Sequence, residues 1–190
     1  MKAKIFVIEC LTNLHVGNGD VNFNIIDNEV ERDVVTGFPT INSSGVKGAL
    51  RAFFEENKLL SNINGIFGSD ENGSTTSGAL KFLSANLLAL PIRSISGGDK
   101  PYSIHAPKTA CEDFKKMLKN FQLEDVSIED IKGGDEKITL DEDNSCYEKD
   151  GLPVIARNSV GEQTNLWYEE VVPHKSIFYF AVVVSTSESE

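Results

Sequence analysis

Residues 15–51 read HVGNGDVNFNIIDNEVERDVVTGFPTINSSGVKGALR, and the rest of the chain is organised around them. The stretch joins a His-containing Gly-rich turn, an acidic loop centred on Asp27, a Thr-Gly-Phe-Pro turn and a helix start carrying Lys47 and Arg51. Loops and helix starts hold polar groups where a ligand can reach them, whereas the flanking apolar runs can only be buried. A functional site is therefore expected here.

Each part has a physical reading. In His15-Val16-Gly17-Asn18-Gly19-Asp20 the two glycines supply either a plain connecting turn or positive φ and close backbone approach to a ligand. From Asn22 to Asp33 the chain reads as an extended loop or short hairpin, in which Asp27, Glu29, Glu31 and Asp33 alternate with Arg32 as the one cation. Alternation in an extended chain puts Asp27, Glu29 and Glu31 on one side, either as a solvated edge or as a working carboxylate set. Asp27 is the best placed of them, because Ile25 and Ile26 precede it and can anchor it. In Thr36-Gly37-Phe38-Pro39, Gly permits an unusual dihedral and Pro restricts Phe38 to extended backbone. Asn42, Ser43 and Ser44 offer N-caps to a helix from about Gly45 to Glu56, with Val46, Ala49, Leu50 and Phe53 as its apolar stripe. Lys47 and Arg51, four apart, share a face one turn inside that helix start. The arrangement suits either a phosphate or an ordinary capped surface helix.

Outward from this stretch, Lys4 to Thr12 reads as a central strand, apolar on both faces. Ser61 to Ser77 is rich in Gly, Ser, Asn and Thr, with Ile66-Phe67 tucking into a core. Gly78 to Pro91 is a buried strand, or a strand leading into a short helix, followed by Arg93-Ser94. Gly97-Gly98 breaks the chain. Thr109 to Phe121 is an amphipathic helix with Cys111, Phe114, Leu118 and Phe121 inward and Lys115, Lys116 and Lys119 outward, and His105 in the preceding loop reads as structural. Leu152–Ala156 and Leu166–Val172 read as paired strands around a polar connection, Arg157 to Asn165. Ile177 to Val184 is the strongest strand, followed by a polar tail from Ser185 to Glu190. Strands interleaved with two helices, without regular βαβ spacing or a dinucleotide fingerprint, give an α+β domain.

Composition bounds the function. A chain of 190 residues, 40% apolar and with eleven Phe, can build one core. The odd set Cys10, Cys111 and Cys146 contains no CxxC pair, which argues against disulfides and zinc and for a reducing, cytoplasmic setting. Nothing approaches the roughly 20 apolar residues of a membrane span. The net charge of −11 lowers the expectation of nucleic-acid binding, yet residues 124–150 hold eleven acids against three lysines. That segment alone is −8, and the remainder carries only −3. An acidic face on one side leaves room for a basic groove on another.

The ordered set of fragments resembles the RAMP superfamily of CRISPR proteins. His15-Val16-Gly17-Asn18-Gly19, Ile25-Ile26-Asp27, Glu31-Arg32, Thr36-Gly37-Phe38-Pro39 and Ser43-Ser44-Gly45-Val46-Lys47-Gly48-Ala49-Leu50-Arg51 follow its order and spacing. Gly65-Ile66-Phe67-Gly68, Gly78-Ala79-Leu80, Pro91-Ile92-Arg93-Ser94 and Leu166-Trp167-Tyr168-Glu169-Glu170-Val171-Val172-Pro173 look like the backbone subunit of type III effectors, of the Cmr type more than the Csm type. The resemblance implies a single RAMP-type domain over residues 1–190, with a ferredoxin-like (RRM-like) core, an insertion around 97–150 and a thumb hairpin. Family members continue past the last strand into a further helix, strand and Gly-rich guide-contacting loop, so a C-terminal truncation is expected.

The same resemblance implies a subunit that polymerises with further copies of itself along a crRNA, beside other subunits of a CRISPR effector complex, and cuts guide-paired target RNA. It implies RNA contacts at Ser43, Ser44, Lys47, Arg51 and Arg93, and a catalytic Asp27 with His15, Tyr168 and Glu169 as further active-site groups. No membrane partner is implied. A carboxylate with an ordinary pKa near about 3.9 is a poor base, so Asp27 would act either as base or as ligand to a hydrated divalent metal, Mg²⁺. Two alternatives stay open: a non-catalytic RNA-binding scaffold of the same complex, and an unrelated metal-dependent α+β hydrolase.

Overall fold

The computed structural model describes residues 2–19, 25–71, 74–94, 100–123, 125–131, 137–159 and 165–184. Part of the Asn22–Asp33 segment, Gly97-Gly98, part of the 124–150 acidic segment, most of the Arg157–Asn165 connection and the Ser185–Glu190 tail lie outside the described residues. In chain order the elements are β1 (Lys2–Glu9), β2 (Thr40–Ile41), α1 (Ser43–Glu56), α2 (Ile63–Phe67), β3 (Ser69–Glu71) and β4 (Ser74–Thr76). Then come β5 (Leu80–Phe82), β6 (Ala85–Arg93), β7 (Tyr102–Pro107), α3 (Lys108–Asn120) and a 3-10 turn at Ile128–Asp130. The last are β8 (Ile138–Asp141), α4 (Ser145–Asp150), β9 (Val154–Asn158), β10 (Leu166–Glu170) and β11 (Ile177–Val184). The fold is mixed α+β about a central sheet of order β1-β11-β6-β7-β8, with β2 beside β6 and β5 beside β11.

Two compact units are distinguishable. One comprises 1–6, 41–85 and 180–190, the other 7–40 and 86–179. In the first, the helix expected over Gly45–Glu56 is α1. Its buried side differs from expectation: Val46 is buried and Leu50 and Phe54 are half-buried, whereas Ala49 and Phe53 face solvent. The i, i+4, i+8 row is inward because Phe54 meets Phe67 at 6.1 Å, and Phe67 stacks on Phe82 at 5.2 Å. Asn42 occupies the N-cap position without a side-chain cap bond, and the Ser43 amide donates instead to Ser84 Oγ at 3.2 Å. Phe67 tucks inward as expected, on the short helix α2, which ends at Gly68 with φ +84°. A Cβ on Gly68 would stand 2.6 Å from the Thr76 carbonyl oxygen, so glycine is required where α2 runs against the chain after β4. The expected buried stretch from Gly78 to Pro91 becomes two strands, β5 and β6. β5 pairs antiparallel with the last residues of β11, Val182–Val184.

The second unit is built on Ile177–Tyr179 of β11, which pairs antiparallel with β6, followed by β7 antiparallel to β6. β8 runs parallel to β7, and α3 makes the crossover that a parallel pair needs. α3 falls where its periodicity placed it, burying Ala110, Cys111, Phe114 and Leu118 and exposing Lys115, Lys116 and Lys119. Phe114 meets Tyr179 edge-to-face at 4.8 Å. The three cysteines are free and buried; burial pushes the Cys10 thiol up to about 11 and the Cys146 thiol up to about 12. β9 and β10 form the expected antiparallel pair, Val154 opposite Glu170 through Asn158 opposite Leu166.

The first strand departs from its sequence reading. It runs Lys2–Glu9 rather than Lys4–Thr12 and stands at the end of the described sheet order, with Phe6 and Val7 over 40% exposed. Apolar residues on both faces say that a strand packs, not how many neighbours pair with its backbone. No helix among the described residues is long and apolar enough to cross a membrane.

Candidate functional site

Within the second unit three segments distant in sequence are laced together by backbone hydrogen bonds. Leu14 and Val172 exchange a pair of bonds, each 2.8 Å. The Glu31 amide donates to the Val16 carbonyl at 2.6 Å, and that of Asn18 to Glu29 at 3.2 Å. Asp27 and Asn28 both donate to the Tyr168 carbonyl, at 3.0 and 3.2 Å, and the Glu170 amide donates back to Asn28 at 2.9 Å. The His15 turn, the Asp27 loop and strand β10 therefore make one polar surface.

Asp27 is half-buried, and its Oδ2 accepts the Tyr168 amide at 2.7 Å. Its other oxygen takes no hydrogen bond among the described residues. Of the two isoleucines expected to anchor it, Ile25 is 87% exposed and Ile26 is half-buried. Main-chain pairing to β10 holds Asp27. The carboxylates of Glu29 and Glu31 make no hydrogen bond or ion pair among the described residues.

His15 Nδ1 lies 2.7 Å from the Glu170 carbonyl oxygen. A carbonyl only accepts, so Nδ1 carries the proton, and Nε2 is left as the position that gains or loses one. Nε2 is 3.8 Å from Glu169 Oε1, and Glu169 Oε2 accepts from Arg157 Nε at 3.0 Å. Gly17 lies close beside this ring: a Cβ there would stand 3.1 Å from Nε2, a tight contact that the ring would have to ease. Its partner Gly19 takes the positive φ, +80°. Tyr168 and Glu169 are consecutive in a strand and therefore point to opposite faces, so only Glu169 reaches His15. Tyr168 contributes its backbone to Asp27 and presents a ring that is 40% exposed.

Sequence reasoning missed the group behind this surface. Glu170 is 7% exposed; its Oε2 accepts the Val30 amide at 3.1 Å, and its Oε1 pairs with the Arg32 guanidinium. Arg32 also donates to the Gly37 carbonyl at 3.0 Å and to the Tyr147 hydroxyl. Tyr147 donates to the same carbonyl at 2.9 Å, lies under the guanidinium at 5.9 Å, and meets the Phe38 ring edge-to-face at 4.9 Å. Burial raises the Tyr147 hydroxyl above its ordinary range, which keeps it a donor. The turn beyond is closed by Asp33, whose Oδ1 accepts from the Thr36 amide at 2.8 Å, the Thr36 hydroxyl at 2.9 Å and the Val35 amide at 3.1 Å. These bonds, that from the Thr36 amide first, hold its carboxyl below the usual range. The repeated acid in Glu169-Glu170 was the one available signal for Glu170. Tyr147 left none, lying 115 residues from Arg32.

The RNA-contact candidates divide between the two units, with Arg93 in the second. Ser43, Ser44, Lys47 and Arg51 belong to the first unit, on α1. Arg51 is committed internally, through Nε to Glu55 Oε1 at 2.8 Å, one terminal nitrogen to the Gly68 carbonyl at 2.7 Å and the other to Asn64 Oδ1 at 2.8 Å. Lys47, half-buried, and Arg93, exposed at the end of β6, have no ion pair among the described residues.

As for a metal, no three His, Cys, Asp or Glu side chains gather as a ligand set among the described residues. The described residues therefore offer no dedicated protein cage. Mg²⁺ keeps several waters and takes one or two carboxylates beside substrate phosphates, and the unbonded oxygen of Asp27 fits that more limited part.

A family model described as the RAMP superfamily matches residues 7–188. The chain is 25% identical to the CRISPR system Cmr endoribonuclease Cmr4 of Pyrococcus furiosus, over 97% of this chain and 82% of that protein. It is 38% identical to the CRISPR system CMR subunit Cmr4 of Saccharolobus solfataricus, over 52% of this chain and 33% of the relative. Among solved structures it is similar to a chain of the type III-B Cmr-beta complex bound to cognate target RNA (22% identity, TM-score 0.80, 99% of this chain and 86% of that one). Oligomeric Cmr4 of Pyrococcus furiosus matches at 20% identity and TM-score 0.67, over 100% of this chain and 84% of that one.

Proposed function

Since the chain belongs to the RAMP superfamily, we propose that it is the crRNA-binding backbone subunit of a cytoplasmic type III-B CRISPR effector that cleaves target RNA paired to the guide. The observation that carries the reading is the likeness to a Cmr endoribonuclease along 97% of the chain. Further copies of the chain, the crRNA, the target RNA and other effector subunits are its partners. The core is read as ferredoxin-like with β9 and β10 as the base of the thumb, a reading supported by the family match and the antiparallel pairing of those strands.

RNA carries its own nucleophile, the 2′-OH. The protein has to align it with the scissile phosphate, accept a proton and stabilise the charge that develops. Asp27 offers one oxygen for this while the other is fixed to the Tyr168 amide. His15 offers Nε2, its ring orientation set through Nδ1. Asp27 would be the residue to hold a Mg²⁺ ion, which would supply neutralisation of the charge that develops on the phosphate. Base pairing with the guide reads the sequence, and the protein tracks backbone and shape. A few cations per subunit then suffice, which reconciles RNA binding with the net charge of −11.

The test is purification of the native assembly. It should carry a short guide RNA and cut a complementary RNA at evenly spaced positions in Mg²⁺; material without guide, or with guide but no cutting, refutes the respective half of the proposal.

Of the two α1 cations, Lys47 is the one available to a phosphate. Lys47→Ala should weaken guide binding for all sequences alike and lower the slope of log affinity against log salt by about 1. Arg51→Ala should instead cost roughly 1–2 kcal/mol of stability through its three internal partners, read from urea melts. Equal salt slopes for Lys47→Ala and the unaltered chain would remove Lys47 from the guide contact.

A further inference from the structure

We infer that the buried Glu170–Arg32–Tyr147 network is the positioning device of the Asp27 loop, an inference resting on the reading of Asp27 and His15 given above. Glu170 bonds the His15 ring and the residue next to Asp27 without being a candidate group itself. Its amide fixes Asn28, next to Asp27, at 2.9 Å, and its carbonyl fixes the His15 ring at 2.7 Å. Its carboxylate reaches past them to the Val30 amide and the Arg32 guanidinium.

A carboxylate 7% exposed is expensive to bury unless it is paired and fully hydrogen-bonded. Apolar side chains of the same volume would fill the space without that cost. What they would lack is direction: an amide donor and a guanidinium approach a carboxylate along defined lines, and the loop backbone is held in a fixed register. Arg32 extends the register to the far end of the loop through the Gly37 carbonyl, where Tyr147 donates a second bond. The Tyr147 ring packs on both Arg32 and Phe38, closing the network from outside. The acidic segment that otherwise argues against RNA thus supplies, through Tyr147, one support of the site.

The experiment uses the full chain and the assembly. Glu170→Gln keeps an acceptor for Val30 and removes the charge facing Arg32; Tyr147→Phe keeps the ring and removes the hydroxyl. Amide hydrogen exchange at Val30 in the isolated chain should speed up roughly tenfold in Glu170→Gln and a few-fold in Tyr147→Phe. Single-turnover cleavage by the assembled complex should fall by about the same factors, with target affinity unchanged. Unaltered Val30 exchange in both variants overturns the inference, as does faster exchange with a full cleavage rate, or a rate loss matched by lost target affinity. Should Glu170→Gln fail to fold, Tyr147→Phe decides alone. If an Asp27→Asn assembly still cuts, the reading of Asp27 has failed instead, and Val30 exchange judges the network by itself.

Discussion

Asp27→Ala lowers the rate of target RNA cleavage by roughly a hundredfold or more while guide binding stays unchanged: this is the expected result if Asp27 accepts a proton or holds Mg²⁺ at the reacting phosphate. The separation of effects follows from the contacts each residue makes: Asp27 is bonded to the β10 backbone, whereas Lys47 belongs to α1. Alanine removes two things, however: the free oxygen and the acceptor for the Tyr168 amide. Asp27→Asn divides them, since its carbonyl oxygen still accepts that amide while the negative charge is gone. Equal loss in both variants assigns the effect to the charge, and a mostly active Asn variant assigns it to loop anchoring. Titrating Mg²⁺ away with a chelator should leave guide binding intact and stop cutting in the unaltered assembly. Single-turnover cleavage and filter binding on the same preparations read all of these, and unchanged cutting in Asp27→Ala would dismiss Asp27 from the reaction.

Phe114→Ala has the largest expected effect on stability, about 3–5 kcal/mol. Phe114 has no exposed surface, sits mid-helix on the inward stripe of α3, and meets Tyr179 of β11 edge-to-face at 4.8 Å. Truncation removes apolar burial, opens a cavity that a helix packed on a sheet cannot close, and ends an aromatic pair of roughly 1 kcal/mol. With m near about 2 kcal/mol/M, the urea midpoint should fall on the order of 2 M. Phe53→Ala is the comparison, because the Phe53 ring is 55% exposed and its loss should cost less than about 1 kcal/mol. Equal midpoint shifts would mean that the α3 stripe is not what holds this unit together.

The amphipathic helix α3 and the apolar strand β11 were legible in the sequence because a single local period decides each. The β9–β10 pair was legible because two strand-forming runs flank a polar turn. Sequence could not say that β1 ends the sheet order, since neighbour count is a property of pairing rather than of composition. It placed Val46 and Leu50 inward on α1 correctly but Ala49 and Phe53 wrongly, because the ring that draws Phe54 inward is Phe67 of α2, itself stacked on Phe82 of β5, and only the tertiary fold brings these close. At the candidate site, Asp27 was singled out by residue type and loop context, and His15 only by the family resemblance. Their distant supports could not be singled out: of the expected anchors Ile25 and Ile26, Ile25 points to solvent, while the Tyr168 backbone, Glu170 and Tyr147 come from far along the chain.

The bond between Asp27 and the Tyr168 amide spans 141 positions. At synthesis rates of about 5–20 residues per second, roughly 7 to 28 s pass between the emergence of one partner and of the other. During that interval the His15 turn and the Asp27 loop have only their bonds to one another, and lack the β10 backbone that holds Asp27, Asn28 and the His15 ring. Such long-range closure also slows folding, because loop entropy is lost before any contact compensates it. The late-arriving strand β10 thus sets the earliest moment at which the Asp27 loop gains its main-chain support.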